Sequence, residues 1–210
     1  MNTNDETAII FDFDGTIADS FLITLKVLYG LRHSEPLPDE DISRLRGMNV
    51  AELLYELHVP WWRAFFIIRR IRHMMRSHMR EITLVPGMNE ALHDLQKRHK
   101  LFILSANSST NIRAFLHRFE LESYFADVYG EANPFSKKHK LAEIIQHNRL
   151  LSARTWYVGD ETEDIDAARH VGINAVAVTW GYSNLHMLKS HHPNALVFNP
   201  DELRSLFSPQ

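Results

Sequence analysis

"IIFDFDGTIADS", residues 9–20, is the stretch from which the organisation of the whole chain can be worked out. A short apolar run ends in Asp12, and Asp14 follows after a single residue, with Gly15 and Thr16 behind it. Two carboxylates this close repel each other unless a positive charge compensates, and a metal cation is the natural candidate. An apolar strand that ends in two acids therefore predicts a functional site at its carboxyl end.

The composition limits the class of protein. The chain has 210 residues, 45% of them hydrophobic, which is enough for one well-buried core and a small second lobe. Its formal net charge of −3 predicts no general attraction to nucleic acid or to a membrane surface. The lack of cysteine excludes disulfides and thiolate chemistry and favours a cytoplasmic location. We see no secretory signal and no apolar run long enough for a membrane span.

Short apolar runs rich in β-branched and aromatic residues recur along the chain and predict strands. They lie at residues 7–11, 101–104, 126–130, 155–158, 175–178 and 195–198. Helix-length segments separate the later runs, at Met88–Arg98, Thr110–Phe119, Lys138–His147 and Ile165–Val171. Apolar strands that alternate with helices predict an α/β fold with a doubly wound parallel sheet.

Residues 18–85 interrupt this alternation. They contain several helical patterns but no convincing strand, and Pro86 and Gly87 mark the return to the alternating pattern. We predict a core domain made of residues 1–17 and 86–210, with an inserted all-helical cap domain at residues 18–85 and a hinge at each end of the insertion. A single domain with a long helical excursion is the alternative.

Polar residues follow four of the predicted strands, at the sheet edge where open parallel sheets bind ligands. They are Asp12 with Asp14, Ser105 with Asn107, the lysines of "SKKHK" (136–140), and Asp160 with Asp164. Four acids on one edge require a cation, and oxygen ligands without cysteine or clustered histidine favour Mg²⁺. A serine, a lysine and the N-terminus of the following helix would supply donors to a phosphate group.

The same residues carry a resemblance to a known family that covers essentially the whole chain. "FDFDGT" (11–16), Ser105 in "LFILSANS", a lysine of "SKKHK" and "VGDETEDIDAA" (158–168) resemble, in order, the four motifs of the haloacid-dehalogenase superfamily in its phosphatase form. The inserted segment resembles the helical cap of the phosphoglycolate-phosphatase-like branch. The resemblance implies a Rossmann-like core under that cap.

The resemblance also implies a role for each matching residue. Asp12 would be the nucleophile that attacks phosphorus, and Asp14 the general acid and base. The residues that bind the substrate phosphate would be Ser105, Asn107 and Lys137. The ligands of Mg²⁺ would be Asp12, Asp160, Asp164 and the backbone carbonyl of Asp14. The expected activity is hydrolysis of a small phosphate monoester, a phosphorylated metabolite, through an aspartyl-phosphate.

Some alternatives stay open at this point. Lys138 competes with Lys137 for the phosphate-binding position, because related sequences commonly have Gly-Lys here and this chain has Ser136 and two lysines. A sugar-phosphate mutase with the same aspartate pair, or a non-catalytic Mg²⁺-binding signalling module, are the alternative functions. The stretch 61–80 holds six arginines and no acid. It predicts a cap helix with a solvated basic face, or one that contacts the substrate's anionic end, a membrane surface or a partner.

Overall fold

A computed structural model describes residues 7–30, 45, 55–56, 78–132 and 137–208 of the chain. Its strands are β1 (Ala8–Phe11), β2 (Ala18–Asp19), β3 (Thr83–Leu84), β4 (Lys100–Leu104), β5 (Phe125–Tyr129), β6 (Thr155–Gly159), β7 (Asn174–Val178) and β8 (Ala195–Val197). Its helices are α1 (Phe21–Gly30), α2 (Met88–Leu95), α3 (Ser109–Arg118), α4 (Lys137–His147), α5 (Thr162–Val171), α6 (Leu185–Ser190) and α7 (Pro200–Leu206). Short 3₁₀ turns lie at Glu122–Tyr124 and Ser152–Arg154.

Six of these strands form one sheet in the order β5-β4-β1-β6-β7-β8, and every neighbouring pair is parallel. The chain moves outward from β1 to β5, then returns to the other side of β1 and moves outward again to β8. The strand order therefore reverses between β1 and β6. The prediction of a parallel α/β core is confirmed, and such a reversal is where open sheets bind ligands, beyond the carboxyl ends of the strands.

Strand β1 illustrates how both faces of the sheet are buried. Ile9 and Phe11 belong to one core cluster, while Ala8 and Ile10 belong to the other, as the alternation of side chains along a strand requires. Helices α2, α3 and α7 contribute to the first cluster, and α4, α5 and α6 to the second. Because helices cover both faces of the sheet, every residue of the strand is apolar. The polar residues begin only after the strand ends, at Asp12.

The two ends of the predicted cap meet as a small ribbon. Strands β2 and β3 are antiparallel, with Ala18 opposite Leu84 and Asp19 opposite Thr83. Helix α1 begins directly after this ribbon. Most of the predicted cap lies outside the described residues, as does the arginine-rich stretch up to residue 77, so the cap bounds stay a prediction. Within the described residues, no helix has both the length and the apolar character needed to cross a membrane.

Candidate active site

The carboxyl edge of the sheet gathers the predicted site residues around the reversal between β1 and β6. Asp12 follows β1, Ser105 follows β4 and Asp160 follows β6, each directly after the strand ends. Lys137 is the first residue of α4, and Asp164 lies in the first turn of α5. Parallel pairing of the strands therefore brings together residues from widely separated parts of the sequence.

Three carboxylates converge at this edge. Asp12, Asp160 and Asp164 each offer an oxygen, and these atoms all lie within 4.8 Å of one another. All three residues are buried. Burial raises the pKa of Asp12 to about 6 against the opposing effect of Lys137. Burial, and then the charges of Asp12 and Asp164, raise the pKa of Asp160 well above its usual range. Ionising the whole cluster is therefore costly without added positive charge.

Lys137 supplies part of that charge. Its Nζ lies 2.8 Å from Asp12 Oδ2 and 2.5 Å from Asp164 Oδ1, and the side chain is buried. Burial alone would lower the pKa of Lys137, but the Asp12 and Asp164 carboxylates hold it well above its usual value. Lys138, the alternative at the sequence level, is only half-buried. The structure thus puts Lys137 in the site, while its role toward phosphate stays a prediction.

The donor set fits a hard divalent cation. One lysine charge faces three carboxylates, so the ionised cluster retains an excess of negative charge. The converging atoms are all oxygens, and the chain has no cysteine to offer a sulfur ligand. Oxygen-only coordination through a few carboxylates is what Mg²⁺ prefers, and it commonly shares its remaining positions between water and a substrate phosphate.

Each carboxylate of the cluster is oriented by neighbouring hydrogen-bond donors. The backbone N–H of Phe13 donates to Asp12 Oδ1 at 2.7 Å. Thr16 Oγ1 donates to Asp160 Oδ1 at 2.6 Å, and a backbone N–H from the loop after β7 donates to Asp160 Oδ2 at 2.8 Å. Donors that fix both oxygens of a carboxylate also fix the direction in which its remaining lone pairs point.

Asp14 has different neighbours. Asn107 Nδ2 donates to Asp14 Oδ2 at 3.0 Å. The orientation of the Asn107 amide is fixed at its other end, where Oδ1 accepts from the Ser108 N–H at 2.8 Å and from Asn111 Nδ2 at 3.1 Å. Asn107 therefore contacts the predicted acid and base directly, an interaction that the sequence did not indicate. Its predicted contact with phosphate stays a prediction.

Ser105 lies beside Asn107, at the N-terminal side of α3. The serine is 1% exposed, and its Oγ accepts from the backbone N–H of Asn107 at 3.1 Å, so its own hydrogen can be donated elsewhere. Helix α3 begins at Ser109 and is capped by the side chain of Ser108, which accepts from the backbone N–H of Asn111. A helix N-terminus favours negative charge, so this side of the site suits an anion.

The sequence predicted no role for Thr16, Asn111 or Tyr182, each of which contacts a residue of the site. Thr16 was visible as part of "FDFDGT", but a threonine after two acids carries no signal that it binds a distant carboxylate. Asn111 lies within a helix, so the expectation that polar residues after a strand lie at the binding edge does not apply to it. Tyr182 lies in the loop after the strand at 174–178. The sequence could have indicated it, because loops at the carboxyl ends of parallel strands form the ligand-binding edge.

Comparison with known proteins agrees with this geometry. The haloacid dehalogenase-like hydrolase family matches residues 9–178. A phosphoglycolate phosphatase of Synechococcus elongatus is 34% identical, over 93% of this chain and 94% of its own length. The tyrosine-protein kinase PtkA of Mycobacterium tuberculosis is 30% identical, over 83% of this chain and 62% of its own. A haloacid dehalogenase-like hydrolase from Streptococcus pneumoniae has the same fold, with a TM-score of 0.78 and 22% identity over 97% of this chain and 99% of its own.

Fold, site and comparisons together define the class: the chain belongs to the haloacid dehalogenase-like hydrolase family. Within that family it is a phosphatase of the phosphoglycolate-phosphatase-like branch, an enzyme that acts on phosphoric monoesters.

Proposed function

We propose that the protein is a Mg²⁺-dependent phosphatase that hydrolyses a small phosphate monoester through an aspartyl-phosphate on Asp12. The observation that carries the proposal is the convergence of Asp12, Asp160 and Asp164 on one point, with Lys137 bonded to two of them. This arrangement offers a nucleophilic carboxylate, a place for a cation and a fixed positive charge within one buried cluster. Phosphoryl transfer is catalysed mainly by such positioning and charge neutralisation.

Asp12, Asp160, Asp164 and the backbone carbonyl of Asp14 would hold the cation. Bound there, Mg²⁺ would neutralise charge on the carboxylates and on the phosphate oxygens of the substrate. The Asp12 carboxylate accepts from the Phe13 N–H through Oδ1 and from Lys137 Nζ through Oδ2. Each oxygen keeps a further lone pair, so that one oxygen would bind the cation and the other would attack phosphorus. Lys137 and Ser105 would donate to the oxygens of the substrate phosphate.

The reaction needs two proton transfers, and Asp14 would make both. An Asp12 oxygen attacks phosphorus, the bond from phosphorus to the ester oxygen breaks, and protonated Asp14 gives its proton to the departing alkoxide. A water molecule then attacks phosphorus and loses a proton to Asp14, which releases inorganic phosphate and restores Asp12. Asn107, which donates to Asp14 Oδ2, would hold its carboxyl group toward the reacting oxygen during both steps.

We further propose that residues 18–85 form a cap that closes over this edge. The ribbon of β2 and β3 supports the proposal, because it joins the two ends of the segment beside the site. A closing cap would exclude bulk water from the first step and admit it for the second. It would also select the substrate. A relative at 34% identity is a phosphoglycolate phosphatase, so phosphoglycolate is the first monoester to test. A cytoplasmic location stays a prediction.

The proposal is tested by measuring release of inorganic phosphate from a panel of phosphomonoesters, including phosphoglycolate and several sugar phosphates, with Mg²⁺ and with EDTA. We expect release with Mg²⁺, its loss in EDTA and its recovery on adding Mg²⁺ again. The matched control is Asp12→Asn, which keeps the shape of the side chain and removes the nucleophile. Release without any bisphosphate activator separates hydrolysis from mutase activity. Full activity in metal-free buffer, or no release from any monoester, would contradict the proposal.

A further inference from the structure

The loop between β7 and α6, residues 179–184, links the carboxylate cluster to the first helix of the inserted segment. Its central residue, Tyr182, is 7% exposed. At the backbone end, the Tyr182 N–H donates to Asp160 Oδ2 at 2.8 Å. One residue therefore provides one of the two donors that orient a carboxylate of the proposed metal site.

The other end of Tyr182 contacts helix α1. The phenol oxygen lies 3.1 Å from Ser20 Oγ, in the residue before the helix, and 2.8 Å from Thr24 Oγ1, within its first turn. The ring also meets the ring of Phe21 edge to face, with centroids 5.3 Å apart. Burial raises the pKa of the Tyr182 hydroxyl well above its usual value, so the hydroxyl keeps its proton.

Close packing keeps this connection rigid. A Cβ on Gly15, whose φ is +79°, would overlap both the Asp160 carboxylate and the Tyr182 ring, and a Cβ on Gly181 would overlap Asp160. Trp180 Nε1 donates to the carbonyl of Thr16 at 3.1 Å and ties the same loop to the segment after β1. A tyrosine has only two rotatable side-chain torsions, so a ring that is packed on both sides transmits a displacement from one end to the other.

We propose that Tyr182 is a positioning residue that couples the start of helix α1 to the carboxylate of Asp160, so that a shift of α1 changes the affinity of the metal site. The inference rests on the proposed function, because it needs a divalent cation at Asp160. It assigns Tyr182 no contact with the substrate. When the contacts of the Tyr182 hydroxyl with Ser20 and Thr24 are lost or moved, the backbone N–H of Tyr182 shifts relative to the Asp160 carboxylate.

Mg²⁺ binding to the free protein, measured by calorimetry without substrate, tests the coupling. Tyr182→Phe keeps the ring and the backbone N–H, and it removes only the two hydroxyl contacts. We expect it to weaken Mg²⁺ binding about threefold to tenfold, the scale of one hydrogen bond of this kind. Thr24→Val removes one of these contacts from the side of α1 and should weaken binding in the same direction. The double variant should be no weaker than Tyr182→Phe alone, because both changes break the same link.

Tyr124→Phe is the matched control. It also removes a tyrosine hydroxyl that is hydrogen-bonded, here to His93 Nδ1, but it lies before β5 at the opposite edge of the sheet. It should leave the Mg²⁺ affinity unchanged. Thermal unfolding of each variant separates loss of fold from loss of coupling. Equal Mg²⁺ affinities of wild type, Tyr182→Phe and Thr24→Val would overturn the inference, as would strictly additive effects. If wild type binds no Mg²⁺, the proposed function itself fails, which is a different result.

Discussion

Asp12 and Asp14 are separated by one residue, yet their carboxylates have different neighbours. Asp12 is buried, and its Oδ2 lies 2.8 Å from Lys137 Nζ. Asp14 is half-buried, and its Oδ2 accepts a hydrogen bond from Asn107 Nδ2. The first environment keeps a negative carboxylate beside a positive charge. The second places a neutral hydrogen-bond donor on one oxygen of the carboxyl group. The two residues are therefore suited to the two chemical tasks that the proposed reaction requires.

Substitutions that keep the shape of the two aspartates should separate these tasks. Asp12→Asn should leave no phosphoenzyme and no turnover with any substrate. Asp14→Asn should still react with p-nitrophenyl phosphate, because the phenolate leaves without needing a proton. We expect a burst of about one equivalent of phenolate per active site, followed by a rate about 10²-fold or more below wild type, since water lacks its base. Stopped-flow absorbance measures both phases.

Mass spectrometry of the quenched Asp14→Asn protein provides the check on that prediction. The phosphoryl group should be found on the peptide that contains Asp12. A steady-state rate close to wild type would show that Asp14 is not the base. A phosphoryl group on Ser105 would show that Asp12 is not the nucleophile.

Among the secondary-structure elements, those with an apolar pattern of several residues could be predicted from the sequence. The strands of the large sheet were all indicated by apolar runs. The four central strands are buried on both faces, and the two edge strands are apolar enough to show the same pattern. Strands β2 and β3 have two residues each, which is too short for any periodicity, and they were not predicted. Helix α5 begins at Thr162, before the predicted start at Ile165, because its first turn is polar and shows no apolar pattern. Helix α2 ends at Leu95 and not at Arg98, where the chain turns into β4.

The candidate site was predictable for the same reason. A polar residue directly after an apolar strand has a position that the sheet topology fixes, and this rule found Asp12, Ser105 and Asp160. The connections between these residues were not predictable, because they depend on side chains that meet only after folding. The bond from Asn111 to Asn107, and through it to Asp14, is such a connection.

Helix α3 contacts the proposed acid and base through two side-chain amides: Asn111 donates to Asn107, and Asn107 donates to Asp14. Asn111→Ala removes one of the two donors to Asn107 Oδ1 and should let the Asn107 amide turn away from Asp14. We expect kcat to fall about threefold to tenfold, with little change in KM for the substrate, because Asn111 is one step removed from the reacting groups. Steady-state kinetics on the best substrate of the phosphomonoester panel measures the effect.

The control for this prediction is Asn148→Ala. Asn148 also donates through its side-chain amide, to the hydroxyl of Tyr129 and the carbonyl of Ile144, but it lies just beyond the C-terminal end of α4. Its loss should lower the thermal midpoint without changing kcat. If Asn111→Ala and Asn148→Ala change kcat equally, then Asn111 contributes only to stability.

For the whole molecule, the carboxylate cluster is a cost in stability that a cation would offset. Asp12 has a usual pKa of 3.8, and burial raises it to about 6 in the folded protein. Between these values the folded state binds more protons than the unfolded state, so the stability of the metal-free protein should fall as the pH rises through this window. The raised pKa of Asp160 acts in the same direction. A fold that holds together three acids at neutral pH is therefore favoured when a divalent cation binds.

The stabilisation by Mg²⁺ should consequently depend on pH. At about pH 7.5, with free Mg²⁺ at about 100 times its dissociation constant, we expect the thermal midpoint to rise by about 5–10 °C. At about pH 5 the rise should be clearly smaller, because protons compete with the cation for Asp12. Asp12→Asn should raise the midpoint of the metal-free protein at pH 7.5, since it removes a buried negative charge, and it should shrink the Mg²⁺ effect. Differential scanning calorimetry measures these midpoints. An equal Mg²⁺ effect at both pH values, or one that Asp12→Asn leaves intact, would show that the cation does not bind at this cluster.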